Sequence, residues 1–219
     1  MIADFSDVKP LIVLAGPSGA GKTTIARRLV AEDDRFTFAI SATTRSPRGN
    51  EKHGVDYLFM SKVEFETMVN DGEFVEWAEV HGQSYGTPRK QLDSAFRSDI
   101  SLILDIDVQG AVQIKNEVAH VLMIFLLPPS VKVLVERLRG RGTEKKEKLI
   151  ERLQNAQEEV AQANVFHYML VNEDLDHVVA QIKEIINVES QISLEGIDLS
   201  SKIREFQTGI DLVLKGLLD

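Results

Sequence analysis

The 219-residue sequence contains no cysteine. That excludes disulfides and thiolate metal sites, and it fits the reducing cytoplasm in which the chain is expected to work. Long apolar runs are missing as well: none approaches the ~18 residues that a membrane-spanning helix needs. The segment from Met1 to Pro10 carries acidic residues and no apolar stretch, so it does not read as a signal peptide. The five histidines show no metal-ligand spacing. Positive charge is scarce, with 25 Lys and Arg against 34 Asp and Glu, a formal net charge of −9. General nucleic-acid binding, which wants a basic face, is therefore not expected. Internal repeats and low-complexity linkers are also absent.

What remains suits a globular protein. Hydrophobic residues make up 43% and charged residues 27% of the chain, enough for a sizeable core within one α/β domain or a compact pair of subdomains. Leu11 to Ala15 reads as a buried strand that breaks at Gly16, with a helix from Lys22 through Ala31. A β-leaning stretch runs from Phe36 to Phe59. Ser61 and Glu64 form a capping box opening a helix that Gly72 closes. Phe74 to Val80 alternates like a strand, and Thr87-Pro88 reads as an N-cap followed by proline at the first helical position. Ser101 to Asp105, Val121 to Leu127 and Tyr168 to Val171 are further strands. Ser130 caps a helix from Val131, Thr143 caps one running to about Ala163, and Leu175 to Val188 is another. Strands alternating with helices imply a largely parallel sheet.

The chemistry begins at Gly16-Pro17-Ser18-Gly19-Ala20-Gly21-Lys22-Thr23, which satisfies the phosphate-loop pattern G-x-x-x-x-G-K-[ST] at every fixed position. Tight glycine turns let successive N–H groups point at phosphate oxygens at a helix N-terminus. Lys22 would reach the β- and γ-phosphates and the Thr23 hydroxyl would bind Mg²⁺; the nucleotide-contacting stretch extends to Thr24. Asp105, a carboxylate ending an apolar strand, is the natural second magnesium contact. An ordinary glycine-rich turn is the bland alternative, and the placement between strand and helix weighs against it.

A GTPase switch and a nucleotide kinase compete for this loop. Asp107-Val-Gln-Gly110 spells D-x-x-G, but the N-K-x-D guanine motif is lacking and Asn172-Glu-Asp174 is a poor substitute. A kinase needs an acceptor site and a mobile, arginine-bearing lid. Arg45 and Arg48, three apart and accompanied by Ser41, Tyr57 and Tyr85, suit one monophosphate, because guanidinium forks match phosphate oxygens. A carboxylate at Glu76 suits guanine, accepting from N1–H and the 2-amino group, whereas adenine offers no such donor pair.

From Leu11 to about Val188 the sequence closely resembles guanylate kinases, in the motifs G-P-S-G-x-G-K-[ST], S-x-T-T-R-x-P-R, G-x-D-Y-x-F, F-x-E-W-A, Y-G-T, L-D-I-D-x-Q-G, P-P-S, R-L-x-x-R-G-T and V-N-x-D. The departures are small: Gly49-Asn50 stands before Glu51 where the family has a residue and then Gly, and His53 precedes Gly54 where Asn or Asp is common. The resemblance implies a P-loop fold with a mainly parallel sheet flanked by helices, a small β-rich GMP-binding subdomain and a helical lid. Its parts would be a core of residues 1–40, 91–129 and 164–190, a GMP-binding subdomain of 41–90 and a lid of 130–163; the remaining tail of 191–219 is expected to be helical from its own spacing. It implies that Ser41, Arg45, Arg48, Tyr57 and Tyr85 hold the GMP phosphate, and that Glu76, Thr87 and Asp107 read the guanine, with Thr87 donating to O6. Arg137 and Arg141, four apart on one helix face, and Arg152 would be the catalytic lid arginines beside Lys22 and Asp105, with Arg139 solvated. Asn172 resembles the residue near the adenine. The implied activity is Mg²⁺-dependent transfer from ATP to GMP and dGMP by a monomer or homodimer, without nucleic-acid or membrane partners. The rival is a guanylate-kinase-like binding module that has lost catalysis, which a damaged loop or lid would reveal.

The tail beyond Glu189 falls outside the resemblance. Ser200-Ser201 reads as a cap, and Ile203, Phe206, Ile210, Leu214 and Leu217 form one apolar stripe. That stripe should be buried, on the chain's own core or on another subunit, the remaining alternative being a frayed end.

Overall fold

The computed structural model describes residues 9–80, 82–139, 146–188 and 199–218. Arg141 and Thr143 lie outside them. Nine strands and eight α-helices are built from the described residues, and they fall into two compact units. One unit holds the N-terminal segment to Val13 with Leu29–Leu122, and the other holds Leu14–Arg28 with Met123 onwards. Strand β1 (Leu11–Ala15) and helix α1 (Lys22–Glu32) are divided between them. The fold is α/β and its main sheet is mostly parallel.

In the first unit β2 (Phe36–Phe38), β7 (Ser101–Asp105) and β1 are neighbours in that order, with β2 and β7 parallel. The inner strands are apolar on both faces, as a covered parallel sheet requires: Leu102, Ile103 and Leu104 are all buried. The second sheet of this unit runs β4-β3-β6-β5, from β3 (Ala42–Thr43), β4 (Leu58–Phe59), β5 (Phe74–Val80) and β6 (Gln83–Pro88). Helix α2 (Lys62–Asn70) backs it and begins in the anticipated capping box. There the Glu64 N–H donates to Ser61 Oγ at 3.2 Å, and the Ser61 N–H donates to Glu64 Oε2 at 2.7 Å. Phe65 of α2 stacks on Phe74 of β5 with ring centres 4.5 Å apart, and Ala42, Leu58, Met60, Met68 and Val69 complete a small apolar core.

One expectation fails here, and one helix was not anticipated. Thr87 does not cap a helix: it lies in β6, and Pro88 is the residue before α3 (Arg89–Arg97), with no side-chain cap at all. The D-x-x-G stretch opens a helix, α4 (Val108–Glu117), capped by Asp107.

The second unit pairs β8 (Val121–Leu127) with β9 (Tyr168–Val171) in parallel. Around them lie α5 (Val131–Arg139), α6 (Lys146–Ala161), a short 3-10 turn (Ala163–Val165), α7 (Leu175–Val188) and α8 (Leu199–Leu218). Ser130 caps α5 as its position suggested, its Oγ accepting from the Val133 N–H at 3.2 Å. Ser200 and Ser201 do not cap α8, because the helix already includes them. The apolar stripe of the tail is buried within the chain's own unit: Phe206, Ile210 and Leu214 are covered, with Ile203 and Leu217 half-buried. No described helix is long and apolar enough to cross a membrane.

Candidate active site

Each unit carries one half of the predicted constellation. In the first, Glu76 and Thr87 sit opposite each other on β5 and β6. Both are buried, at 3% and 0% exposure, although a carboxylate is expensive to remove from water. The Thr87 hydroxyl donates to Glu76 Oε1 at 2.6 Å. On the other side of the carboxylate, a Cβ added to Gly110 would collide with Glu76 Oε2, so only a glycine lets the first turn of α4 approach so closely. Asp107 Oδ1 accepts from the Gln109 and Gly110 N–H groups at 2.7 and 3.0 Å, which fixes that turn. Burial pushes the Glu76 carboxyl up to about 7; the Thr87 hydrogen bond opposes this and the nearby charge of Asp107 adds to it.

A second cluster of the same unit surrounds Arg45, which is buried. Its guanidinium forks onto Glu51, with Nη1 to Oε2 at 2.6 Å and Nη2 to Oε1 at 2.8 Å, and Nη1 also donates to Ser46 O at 3.0 Å. It lies over the Tyr57 ring at 4.6 Å from the centroid, a cation–π arrangement. Tyr57 meets Tyr85 edge to face at 6.1 Å. The hydrogen bond from Arg45 holds Glu51 below the ordinary carboxylate range against the effect of burial, and the same bond raises Arg45. Burial chiefly, and the charge of Asp105 next, raise the Tyr57 hydroxyl, which Arg45 opposes. Asp105 ends β7, half-buried, as expected. Ser41 is half-buried beside β4, its carbonyl accepting the Leu58 N–H at 2.9 Å. Arg48 is exposed, its N–H donating to Glu51 Oε2 at 2.8 Å.

Glu51 was not singled out from the sequence as a functional residue, yet it organises both arginines. Its signal was available: a carboxylate six residues after Arg45, between Arg48 and Lys52. Gln113 was also missed. It clamps the exposed Trp77 of β5, accepting from the Trp77 N–H at 3.1 Å and donating to its carbonyl at 2.7 Å.

The second unit holds the phosphate loop. Gly16, Gly19 and Gly21 have φ of 137°, 90° and 96°, in the region that side chains rarely adopt. Gly16 and Gly21 are also hemmed in, since a Cβ would strike Leu126 O at the first and Asn172 Nδ2 at the second. The Lys22 ammonium bends back over the loop to Gly16 O at 2.6 Å and Pro17 O at 3.4 Å. Ala20 N–H donates to Pro17 O at 2.9 Å, and Thr23 and Thr24 are exposed in the first turn of α1. Asn172 is buried at the end of β9 and donates from Nδ2 to Ala20 O at 2.7 Å, so its visible role is to brace the loop.

Two predicted lid arginines reach the same loop. Arg137 of α5 donates from Nη1 to Gly19 O at 2.9 Å. Arg152 of α6 donates from Nη2 to Ser18 Oγ at 2.8 Å and from Nη1 to Leu138 O at 3.0 Å. Arg139 is exposed, as expected.

The chain's likeness to known proteins agrees with this geometry. A family model described as guanylate kinase matches residues 8–189. The guanylate kinase of Synechocystis sp. is 43% identical over 190 residues, spanning 86% of this chain and 100% of the relative. That of Rickettsia felis is 40% identical over 181 residues, spanning 83% and 94%. The crystal structure of guanylate kinase from Anaplasma phagocytophilum superposes with a TM-score of 0.70 at 32% identity, covering 93% of this chain and 97% of that one. On these likenesses the chain belongs to the guanylate kinase family and is a nucleoside monophosphate kinase.

Proposed function

We propose that the enzyme transfers the γ-phosphoryl group of ATP to GMP, and to dGMP, with Mg²⁺ accompanying the triphosphate. The observation that carries this reading is the Glu76–Thr87 pair: a buried carboxylate near neutrality with one neutral donor in place. As an anion Glu76 is short of donors, and guanine supplies two on one edge, N1–H and the 2-amino group. When these donate to Glu76, the Thr87 hydroxyl is released to donate to O6, and Asp107 borders the same edge. Adenine would leave the carboxylate unpaired and costly.

Ser41, Arg45, Arg48, Tyr57 and Tyr85 take the GMP phosphate. Glu51 leaves Arg45 with N–H donors to spare while fixing the plane of its guanidinium. On the donor side the loop from Gly16 to Thr24 cradles the triphosphate, and Lys22, Arg137 and Arg152 exchange their present oxygen acceptors for phosphate oxygens. A GMP phosphate oxygen then forms a bond to the γ-phosphorus as the bond to the β-phosphate bridging oxygen breaks, giving GDP and ADP. That oxygen is already largely ionised at pH 7, so no general base is assigned. Catalysis is positioning and charge neutralisation.

For the metal, the donor chemistry fits: Thr23 offers a hydroxyl and Asp105 a carboxylate, hard oxygens of the kind Mg²⁺ uses together with substrate phosphates. When bound, the ion would neutralise charge on the β- and γ-phosphates. The intact Lys22, Arg137 and Arg152 speak against a binding module without catalysis.

A coupled assay of ADP formation at fixed ATP, with GMP, dGMP, AMP, CMP and UMP compared, tests the reading. GMP and dGMP should lead by orders of magnitude in kcat/KM. Comparable turnover of AMP would overturn the guanine assignment.

A further inference from the structure

Helix α8 lies beyond the segment that matches the family, residues 8–189, and yet it packs on α5, α6 and the 3-10 turn, the first two being the helices that carry Arg137 and Arg152. We propose that α8 positions the donor-side arginines by clamping α5 and α6 into one body, so that Arg137 and Arg152 reach the triphosphate together. This rests on the role given to those arginines above.

Three observations place the clamp. Phe206 and Ile210 are buried to 2% and 0%, so the α8 stripe is seated in the unit and does not merely lie over it. Gly209, between them, lies against the first residue of α5: a Cβ there would come within 2.8 Å of Val131 Cγ2 and 3.4 Å of its Cβ. A larger residue would push α8 away from α5. On α6, Gln157 donates from Nε2 to Asp211 Oδ1 at 2.5 Å, joining that helix to the same turn of α8, two residues after Gly209. Arg137 is six residues from Val131, about 9 Å along the helix, and Arg152 is five from Gln157.

The need for such a clamp follows from the arginines themselves. At present Arg152 ties α6 to the end of α5 through Leu138 O, and Arg137 ties α5 to Gly19 O. Both bonds are surrendered when the guanidiniums turn to phosphate. The α8 contacts use residues that have no part in the ligand, so they persist through that exchange and keep the two helices in register.

The test exchanges bulk between α8 and α5 in the full-length chain. Gly209→Val is made alone and with Val131→Ala, and steady-state kinetics for both substrates are measured beside thermal unfolding. Gly209→Val should lower kcat about tenfold and raise the KM for ATP about fivefold, the scale of a slightly misplaced charge clamp, with the KM for GMP within about twofold. Val131→Ala in the same chain should restore most of the loss. A folded Gly209→Val protein with unchanged kcat and ATP KM overturns the proposal, as does an equal loss towards both substrates or a failure of rescue. Should Gly209→Val not fold, Gly209→Ala, whose one methyl already meets Val131, is read by the same criteria. Arg152→Met separates the layers: unchanged donor kinetics there remove the arginine reading and the clamp with it. A defect in Arg152→Met with none in Gly209→Val removes the clamp alone.

Discussion

In the first unit Arg45 is forked onto the carboxylate of Glu51 and stacked on Tyr57, whereas in the second Arg137 donates to the Gly19 carbonyl and Arg152 to the Ser18 hydroxyl and the Leu138 carbonyl. The difference is one of commitment. A buried, bidentate ion pair fixes Arg45 before any ligand arrives, while the carbonyl that Arg137 meets is a neutral acceptor, which releases an exposed guanidinium readily to a phosphate. Recognition also differs in kind. On the proposed reading, GMP is met by side chains set on facing strands and ATP by backbone held open by glycines, so the first unit would discriminate and the second exchange.

The comparison breaks most sharply at Lys22. Lys22→Ala should reduce turnover by about 10³-fold or more while the affinity for GMP, measured by calorimetry, stays near wild type, because each half serves one substrate. Loss of GMP affinity in step would erase the division. Next comes Arg45→Met, which should raise the KM for GMP about 10- to 100-fold and that for ATP little, as loss of a charge-assisted phosphate contact implies. Glu51→Gln should act in the same direction more weakly, since it loosens the guanidinium without removing it.

A smaller effect concerns stability. The folded Glu76 carboxyl titrates near 7, above its ordinary 4.5. Between those values the unfolded chain has lost the proton that the folded chain retains, so stability falls as pH rises through that window. The span corresponds to at most about 3 kcal/mol, fully imposed above pH 7 and absent below pH 4.5. Glu76→Gln should flatten the fall in Tm between pH 5 and 7.5; an unaltered slope would mean that Glu76 is not the group responsible.

Much of this was legible in the sequence. Leu11–Ala15, Phe74–Val80, Ser101–Asp105, Val121–Leu127 and Tyr168–Val171 are strands over the residues that their apolar runs or alternation indicated. The tail stripe was equally plain from its spacing. The failures share a cause, which is that tertiary contact overrode local pattern. Gln83–Pro88 has no alternation and is a strand because β5 pairs with it. Val108–Glu117, with a glycine and β-branched residues, is a poor helix former, held by the Asp107 cap and by burial of Val108, Ala111 and Ile114. Thr87 resembled a cap because threonine before proline usually is one, and its hydroxyl goes instead to a carboxylate eleven residues away in sequence. The bracing of the loop by Asn172 depends on a partner that no local spacing announces.

The claim that Glu76 is the reader of guanine is tested most directly by proton release on binding. Calorimetric titration of GMP near pH 6.5, in two buffers of different ionisation enthalpy, should show that the wild-type protein releases more protons than Glu76→Gln, because N1–H and the 2-amino group drive the buried carboxyl to its anion. The GMP phosphate contributes equally to both proteins, so the difference isolates Glu76. Equal proton release from the two, with GMP bound by both, would contradict the account.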